Sequence, residues 1–242
     1  MANKTITQLD AAQSLNDNMV IAVQDTNTTY KTTLADVKAY CGAAPAGDKY
    51  KVGDRVTDDS DNDVGMVSGF FTDGNGDRYA VVCLNAVDRL ASGQYLSSNV
   101  NVTGIPSYTD LSAWSATETA TTNTTAILAM TSYTSSACTH CRSKSYTIDG
   151  VTYAGQLPNI AELADIFKER TKINSDDTTA SANPSLIIPT ATDTWSSNKR
   201  GTAGRGWYFN ADGGVDIGYG QWDYMNNITQ NKFIIPVLEI PL

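Results

Sequence analysis

The chain holds a single histidine, His140, and no G-x-S-x-G motif. Nucleophilic catalysis by serine or cysteine needs a base beside the nucleophile, so a Ser-His or Cys-His pair is not expected here. Charge is also scarce. Only 18% of the 242 residues are charged, and 17 Lys and Arg stand against 26 Asp and Glu, a net charge of −9. Nucleic-acid binding requires clustered cations that displace counterions from the phosphate backbone. The sequence shows the reverse: seven Asp and one Arg fall between Asp54 and Asp77. No partner nucleic acid is expected. Apolar runs such as Met19–Val23 and Phe233–Leu238 are too short to span a bilayer, so no membrane partner is expected either. The opening Met1–Leu9 lacks the basic segment and apolar stretch of a secretory leader, and the expectation is a protein made in a cytosol.

Cysteine is sparse as well: Cys41, Cys83, Cys138 and Cys141. Four in so long a chain do not form a disulfide framework, and free thiols are expected. Cys138-Thr-His-Cys141 has the spacing of half a zinc site. A structural site needs four ligands, and no second C-x-x-C or H-x-x-x-H is present, so packing inside a helix ranks ahead of metal or redox chemistry. No cofactor is expected. Asp59-Ser-Asp-Asn-Asp places oxygens at alternate positions but lacks the glycine and closing Glu of an EF-hand loop, and an acidic surface turn ranks ahead of a calcium site. Paired carboxylates such as Asp216 with Asp223, or Glu162 with Asp165, are what glycosidases use, but spacing alone does not separate them from solvated acids. The chain is expected not to be an enzyme.

What fills the sequence is Thr, Ser, Asn, Gly and Tyr, beside 41% hydrophobic residues, enough for a core. Residues 1–44 read as a separate unit. Ile6–Ala12 is extended, Met19–Gln24 is a strand, Asn27-Thr-Thr turns the chain, and Thr33 caps a helix over Leu34–Tyr40 that Gly42 ends. A strand-strand-helix unit of this size is too small to bury a core alone. From residue 45 onward the chain reads as one α+β domain. Gly65–Phe71 and Arg78–Leu84 form a hairpin around a Gly- and Asp-rich turn, and Tyr146–Tyr153 forms another around Asp149-Gly150. Residues 93–124 read as loop, and a helix is predicted over Thr125–Ser143. Leu157, Ile160, Leu163, Ile166 and Phe167 recur at helical spacing, with Pro158 at the first helical position. Strands follow at Trp195–Asn198, Gly206–Asn210, Gly214–Tyr219 and Lys232–Ile240.

Two resemblances organise these pieces. Ile6, Leu9, Ala12, the Met19–Val23 strand and Lys31-Thr-Thr-Leu-Ala-Asp-Val resemble the N-terminal anchor of phage head and tail fibres. Leu157-Pro-Asn-Ile-Ala-Glu-Leu resembles the L-P-T-x-x-E-L of collagen-like-protein C-terminal domains and their formylglycine-generating-enzyme-like relatives. Trp195-Ser-Ser-Asn resembles their W-S-S-T strand, and Trp207-Tyr-Phe-Asn their W-Y-V-N. Val52-Gly-Asp, Gly65-Met-Val and Ala80–Leu84 are similar to the opening hairpin of the same domains. The resemblance implies a C-type-lectin-like fold, two helices with twisted antiparallel sheets, over residues 45–242, preceded by an oligomerising anchor over residues 1–44. The last strand departs from the pattern, carrying Leu238-Glu-Ile where those families often have a basic residue. The cysteine pair by which the formylglycine-forming relatives act late in the domain has no counterpart after Cys141.

The resemblance implies a structural virion fibre, head fibre ahead of tail fibre, of the kind carried by crAss-like phages. Its partners would be further copies of itself (a homotrimer ahead of a dimer), capsid or tail proteins through residues 1–44, and a host surface polysaccharide. A bacterial lectin-like adhesin ranks second and a glycan-acting enzyme third. Tyr219, Trp222, Tyr224, Asn226 and Asn227 lie beside glycines and between apparent strands. Rigid aromatic area with adaptable amides is what paratopes use, so these five are the candidate ligand-binding residues. Trp195 and Trp207 belong to strand patterns and are expected in the core.

Overall fold

The computed structural model describes residues 20–24, 29–33, 49–106, 117–189, 193–199, 206–210, 221–225 and 228–242, with 20–24, 29–33 and 221–225 followed as backbone. The chain divides into two compact units, Met1–Lys49 and Tyr50–Leu242. In the first, β1 (Val20–Gln24) pairs antiparallel with β2 (Thr29–Thr33), with Val20 opposite Thr33 and Gln24 opposite Thr29. The sequence reading found β1 but took Thr29 into a turn and Thr33 as a helix cap. The β-branched and aromatic run Thr-Tyr-Lys-Thr-Thr favours the extended backbone instead. The segments at Ile6–Ala12 and Leu34–Tyr40 lie outside the described residues.

The second unit is α+β. Its first sheet has the order β13-β5-β4-β3, antiparallel throughout: β3 (Arg55–Thr57), β4 (Asp63–Thr72), β5 (Arg78–Leu84) and β13 (Val237–Pro241). The second has the order β11-β10-β9-β12-β6, from β6 (Leu90–Gln94), β9 (Thr194–Lys199), β10 (Gly206–Asn210), β11 (Gln221–Met225) and β12 (Asn231–Ile234). Only β12 beside β9 runs parallel among these pairings. A separate hairpin joins β7 (Ser145–Ile148) to β8 (Val151–Ala154). Its turn needs positive φ at both central residues, which Asp149 (51°) and Gly150 (75°) supply.

Four α-helices are present among the described residues, where the resemblance implied two: α1 (Ala120–Leu128), α2 (Ser136–Arg142), α3 (Ile160–Lys168) and α4 (Arg170–Asp176). The single helix expected over Thr125–Ser143 is therefore α1 and α2 with a break between them. The hydroxyl-rich run Thr131–Ser136 explains the break, because such side chains bond local backbone and favour caps over helix interiors. Ser135 does so directly, accepting from the Cys138 N–H at 3.0 Å. Leu90–Gln94 and the start of α1 likewise trim the loop expected over residues 93–124. The predicted last strand is also two. β12 ends at Ile234, Ile235-Pro236 carries the chain across, and β13 joins the other sheet. Pro236 has no N–H for a ladder, and its carbonyl instead accepts from Leu84 N at 3.1 Å.

The core follows these layers. Met66, Phe71, Val81 and Val237 of the first sheet and Trp207 and Phe233 of the second form one cluster with Leu163, Ile166 and Phe167 of α3. Gly69 makes that packing possible, since a Cβ there would stand 2.2 Å from Asp165 Oδ2. A second cluster brings Ile127 of α1 and Cys138 and Cys141 of α2 against Trp195, Tyr208 and Ile234 of the second sheet. A third lies around Val64, Val67, Val82, Leu84, Ile148, Leu238 and Ile240. The expected helical face of Leu157, Ile160, Leu163, Ile166 and Phe167 is buried at every position. Among the described residues, no helix is long and apolar enough to cross a membrane.

Candidate functional site

Two of the five candidate ligand-binding residues, Trp222 and Tyr224, fall in β11, antiparallel to β10, where Trp222 stands opposite Phe209 and Tyr224 opposite Trp207. They were expected in a loop between strands, and that expectation is corrected. Gln-Trp-Asp-Tyr-Met alternates with period two and carries aromatic residues that favour strands, whereas the glycines and asparagines around it suggested a loop. β11 closes one end of its sheet's strand order. Tyr219, Asn226 and Asn227, with the strand expected at Gly214–Tyr219, lie outside the described residues. Trp195 and Trp207 are buried, as expected for core residues.

The residues with chemical potential are drawn into the scaffold. Cys83, Cys138 and Cys141 are free thiols and buried, and Cys41 lies outside the described residues. Burial pushes the Cys138 thiol up to about 12, against a weaker opposing hydrogen bond with Ser135, and drives Cys141 well above its ordinary range. Both sulfurs are therefore held as thiols, the unreactive form. The Nε2 of His140 sits 2.7 Å from the carbonyl oxygen of Asp88. The Asp88 carboxylate in turn accepts from the Tyr146 hydroxyl and pairs with Lys144. Among the described residues, no three His, Cys, Asp or Glu side chains gather as a metal site. The acidic stretch at Asp58 is a turn closed on itself: Asp58 Oδ1 accepts from the N–H groups of Ser60 and Asn62, each at 2.9 Å. Asp59 Oδ2 accepts from Gly150 N at 2.9 Å, tying this turn to the β7–β8 hairpin. A second anchor is the ion pair of Arg89 and Asp177, 3.0 Å apart with both side chains fully buried.

The most concentrated polar geometry lies where the two family-like motifs meet. Helix α3 begins two residues later than the start expected at Pro158: Asn159 is the cap and Ile160 the first helical residue. Asn159 Oδ1 accepts from Glu162 N at 3.0 Å, and Glu162 Oε2 accepts from Asn159 N at 2.8 Å, a reciprocal capping box. The next orphan donor, Ile160 N, reaches Asn198 Oδ1 at 2.6 Å. Ser197 N donates to the Pro158 carbonyl at 2.7 Å, and the Ser197 carbonyl accepts from the Tyr95 hydroxyl at 3.0 Å. From α1, Asn123 Nδ2 donates to Ser197 Oγ at 3.2 Å and Thr124 Oγ1 accepts from Leu157 N at 3.0 Å. The Leu157–Leu163 and Trp195–Asn198 motifs thus form a single buried polar joint between α1, α3 and β9. The physical reason is the need to satisfy helix-end donors in a dry site.

Glu162 belongs to this joint rather than to a catalytic pair with Asp165. It is 1% exposed, so a sugar has no approach to it. Its carboxyl neighbour is Glu239 of β13. Burial first, and Glu239 next, push the Glu162 carboxyl well above the usual range. Glu239 accepts from Ala120 N at 2.7 Å and from Thr121 N at 2.9 Å and Thr121 Oγ1 at 2.6 Å, capping α1 from across the molecule. Sequence reading registered Glu239 only as a departure from a family pattern. A usable signal was present, since Leu238 and Ile240 mark one buried face and alternation sends Glu239 to the other, between sheet and helices. No family model, curated protein or solved structure matches this chain.

Proposed function

We propose that this chain is a non-catalytic fibre protein of a phage virion, on the head rather than the tail. In this reading residues 1–44 bind further copies and a capsid or tail protein, and residues 45–242 form a C-type-lectin-like domain that presents the strand and loops around Trp222 and Tyr224 to a host surface polysaccharide. The observation that carries it is the fate of the reactive groups. Cys138, Cys141 and Glu162 are each buried within the scaffold, and His140 bonds a backbone carbonyl. Meanwhile β11, with Trp222 and Tyr224, stands at an end of the sheet that this scaffold supports. A rigid frame carrying aromatic residues at a sheet edge suits adhesion, which needs contact area held in place and no reacting group.

Binding of the purified full-length chain to host cells and to a polysaccharide array tests this reading. Attachment that is lost in W222A and Y224A, with a trimer in sedimentation, is the expected result. A stable monomer that binds neither cells nor polysaccharide would contradict it.

A further inference from the structure

The joint at the start of α1 holds two carboxyl groups and four donors, and the count does not close with both acids ionised. Glu239 accepts from Ala120 N, Thr121 N and Thr121 Oγ1 at the positive end of a nine-residue helix, which leaves one of a carboxylate's roughly four acceptor directions open. Glu162 uses Oε2 on Asn159 N; its Oε1 is buried with no N–H or hydroxyl donor on it, and the side chain lies within hydrogen-bonding reach of the Glu239 carboxyl. A bare carboxylate oxygen in that position would face desolvation and the neighbouring Glu239 charge together. A protonated Oε1 facing Glu239 removes both penalties.

We infer that Glu162 and Glu239 hold one proton between them, and that this proton latches the start of α1 to the C-terminal strand as a pH-sensitive lock. The leading charged groups acting on Glu162 are Glu239 from β13 and Asp165 from its own helix, both acidic. Asp165 itself is offset by Lys168 and faces Glu169. From β5, Tyr79 lies within the field of Glu239. From β9 the contact is the neutral Asn198, and Glu118, ahead of α1, contributes its carbonyl to Asn159 Nδ2 at 3.1 Å. Hence nothing in this set rescues a second negative charge.

The sign follows from a folded-state pKa raised above the unfolded one. The stabilisation is complete below the ordinary Glu value, about 4.3. It is lost progressively as pH rises from there through the folded-state value, by up to about tenfold in the unfolding constant per pH unit. Above that window the lock holds two charges and the start of α1 opens more readily.

The test compares urea unfolding of the full chain and of E162Q from about pH 5 to about pH 9. Gln at this position can still accept from Asn159 N and donate to Glu239, mimicking the protonated acid without titrating. The expected result is a midpoint that falls with pH in the wild-type chain more steeply than in E162Q, with the difference following one proton. Parallel pH profiles would overturn the inference. Hydrogen exchange on the wild-type chain decides the matter even if the variant does not fold. After correction for intrinsic rates, the Ala120 and Thr121 amides should lose protection relative to Val81 and Val82 of β5 as pH rises. Constant relative protection would overturn the lock.

Discussion

The joint before α3 and the ribbon of β10 and β11 both draw on aromatic rings and side-chain amides, yet the fold uses them differently. At the joint, Ser196, Ser197, Asn198 and Asn159 are essentially inaccessible, and each takes part in a specific hydrogen bond to another element. In the ribbon, β10 turns Trp207 and Tyr208 into the core, while Phe209 stacks on Phe167 with ring centroids 3.8 Å apart. β11 then ends the sheet, with Trp222 and Tyr224 placed opposite Phe209 and Trp207. The difference teaches that amides and aromatic rings do not announce a binding face by their presence. Whether an amide binds a ligand or caps a helix depends on whether an orphan donor lies within reach.

Substitutions can sharpen this contrast. The largest effect is expected at Trp207: Trp207→Ala removes a buried ring between β10 and α3 and should cost about 3–5 kcal/mol in chemical denaturation. A two-state unfolding curve shifted by less than about 1 kcal/mol would place Trp207 outside the core. Next comes Asn198→Ala, which leaves Ile160 N without its acceptor in a dry site. A loss of about 2–3 kcal/mol is expected, the penalty of an unsatisfied buried donor. Replacing Cys138 or Cys141 by Ser should cost about 1–2 kcal/mol each, because a hydroxyl enters apolar packing. The same burial makes both thiols unreactive toward a thiol reagent in the native protein and fully reactive in denaturant. Rapid native labelling at either position would contradict the packing. The smallest stability change is expected on the other side of the comparison: Trp222→Ala and Tyr224→Ala, in the strand that ends the sheet order, should cost about 1 kcal/mol or less and, if the proposed role holds, abolish attachment to host cells.

The parts of the fold that were legible in the sequence are those set by local period and local turn chemistry. The Gly65–Leu84 hairpin, the Asp149-Gly150 turn and the apolar face of α3 follow from two apolar runs around a Gly- and Asp-rich turn, from positive φ and from helical spacing. The break between α1 and α2 was legible in principle, since Thr131–Ser136 is a run of capping residues, but apolar residues on both sides masked it. The switch of the last strand between sheets was marked by Pro236 and still missed, because both halves are equally apolar and only the partner strands distinguish them. The carboxyl pair was not legible. Glu162 and Glu239 are 77 positions apart (239 − 162), and only the packing of β13 beside the helices brings them together. Of the candidate binding residues, Trp222 and Tyr224 were found as aromatic residues but assigned to the wrong backbone class, since flanking glycines outweighed a five-residue alternation.

Immunogold labelling of intact phage particles with antibody raised against residues 50–242 bears most directly on the proposed role. Gold distributed over the capsid of particles from a lysate producing this chain is the expected result. Purified particles that carry no label on head or tail, while the same antibody detects the chain free in the lysate, would contradict a virion fibre outright.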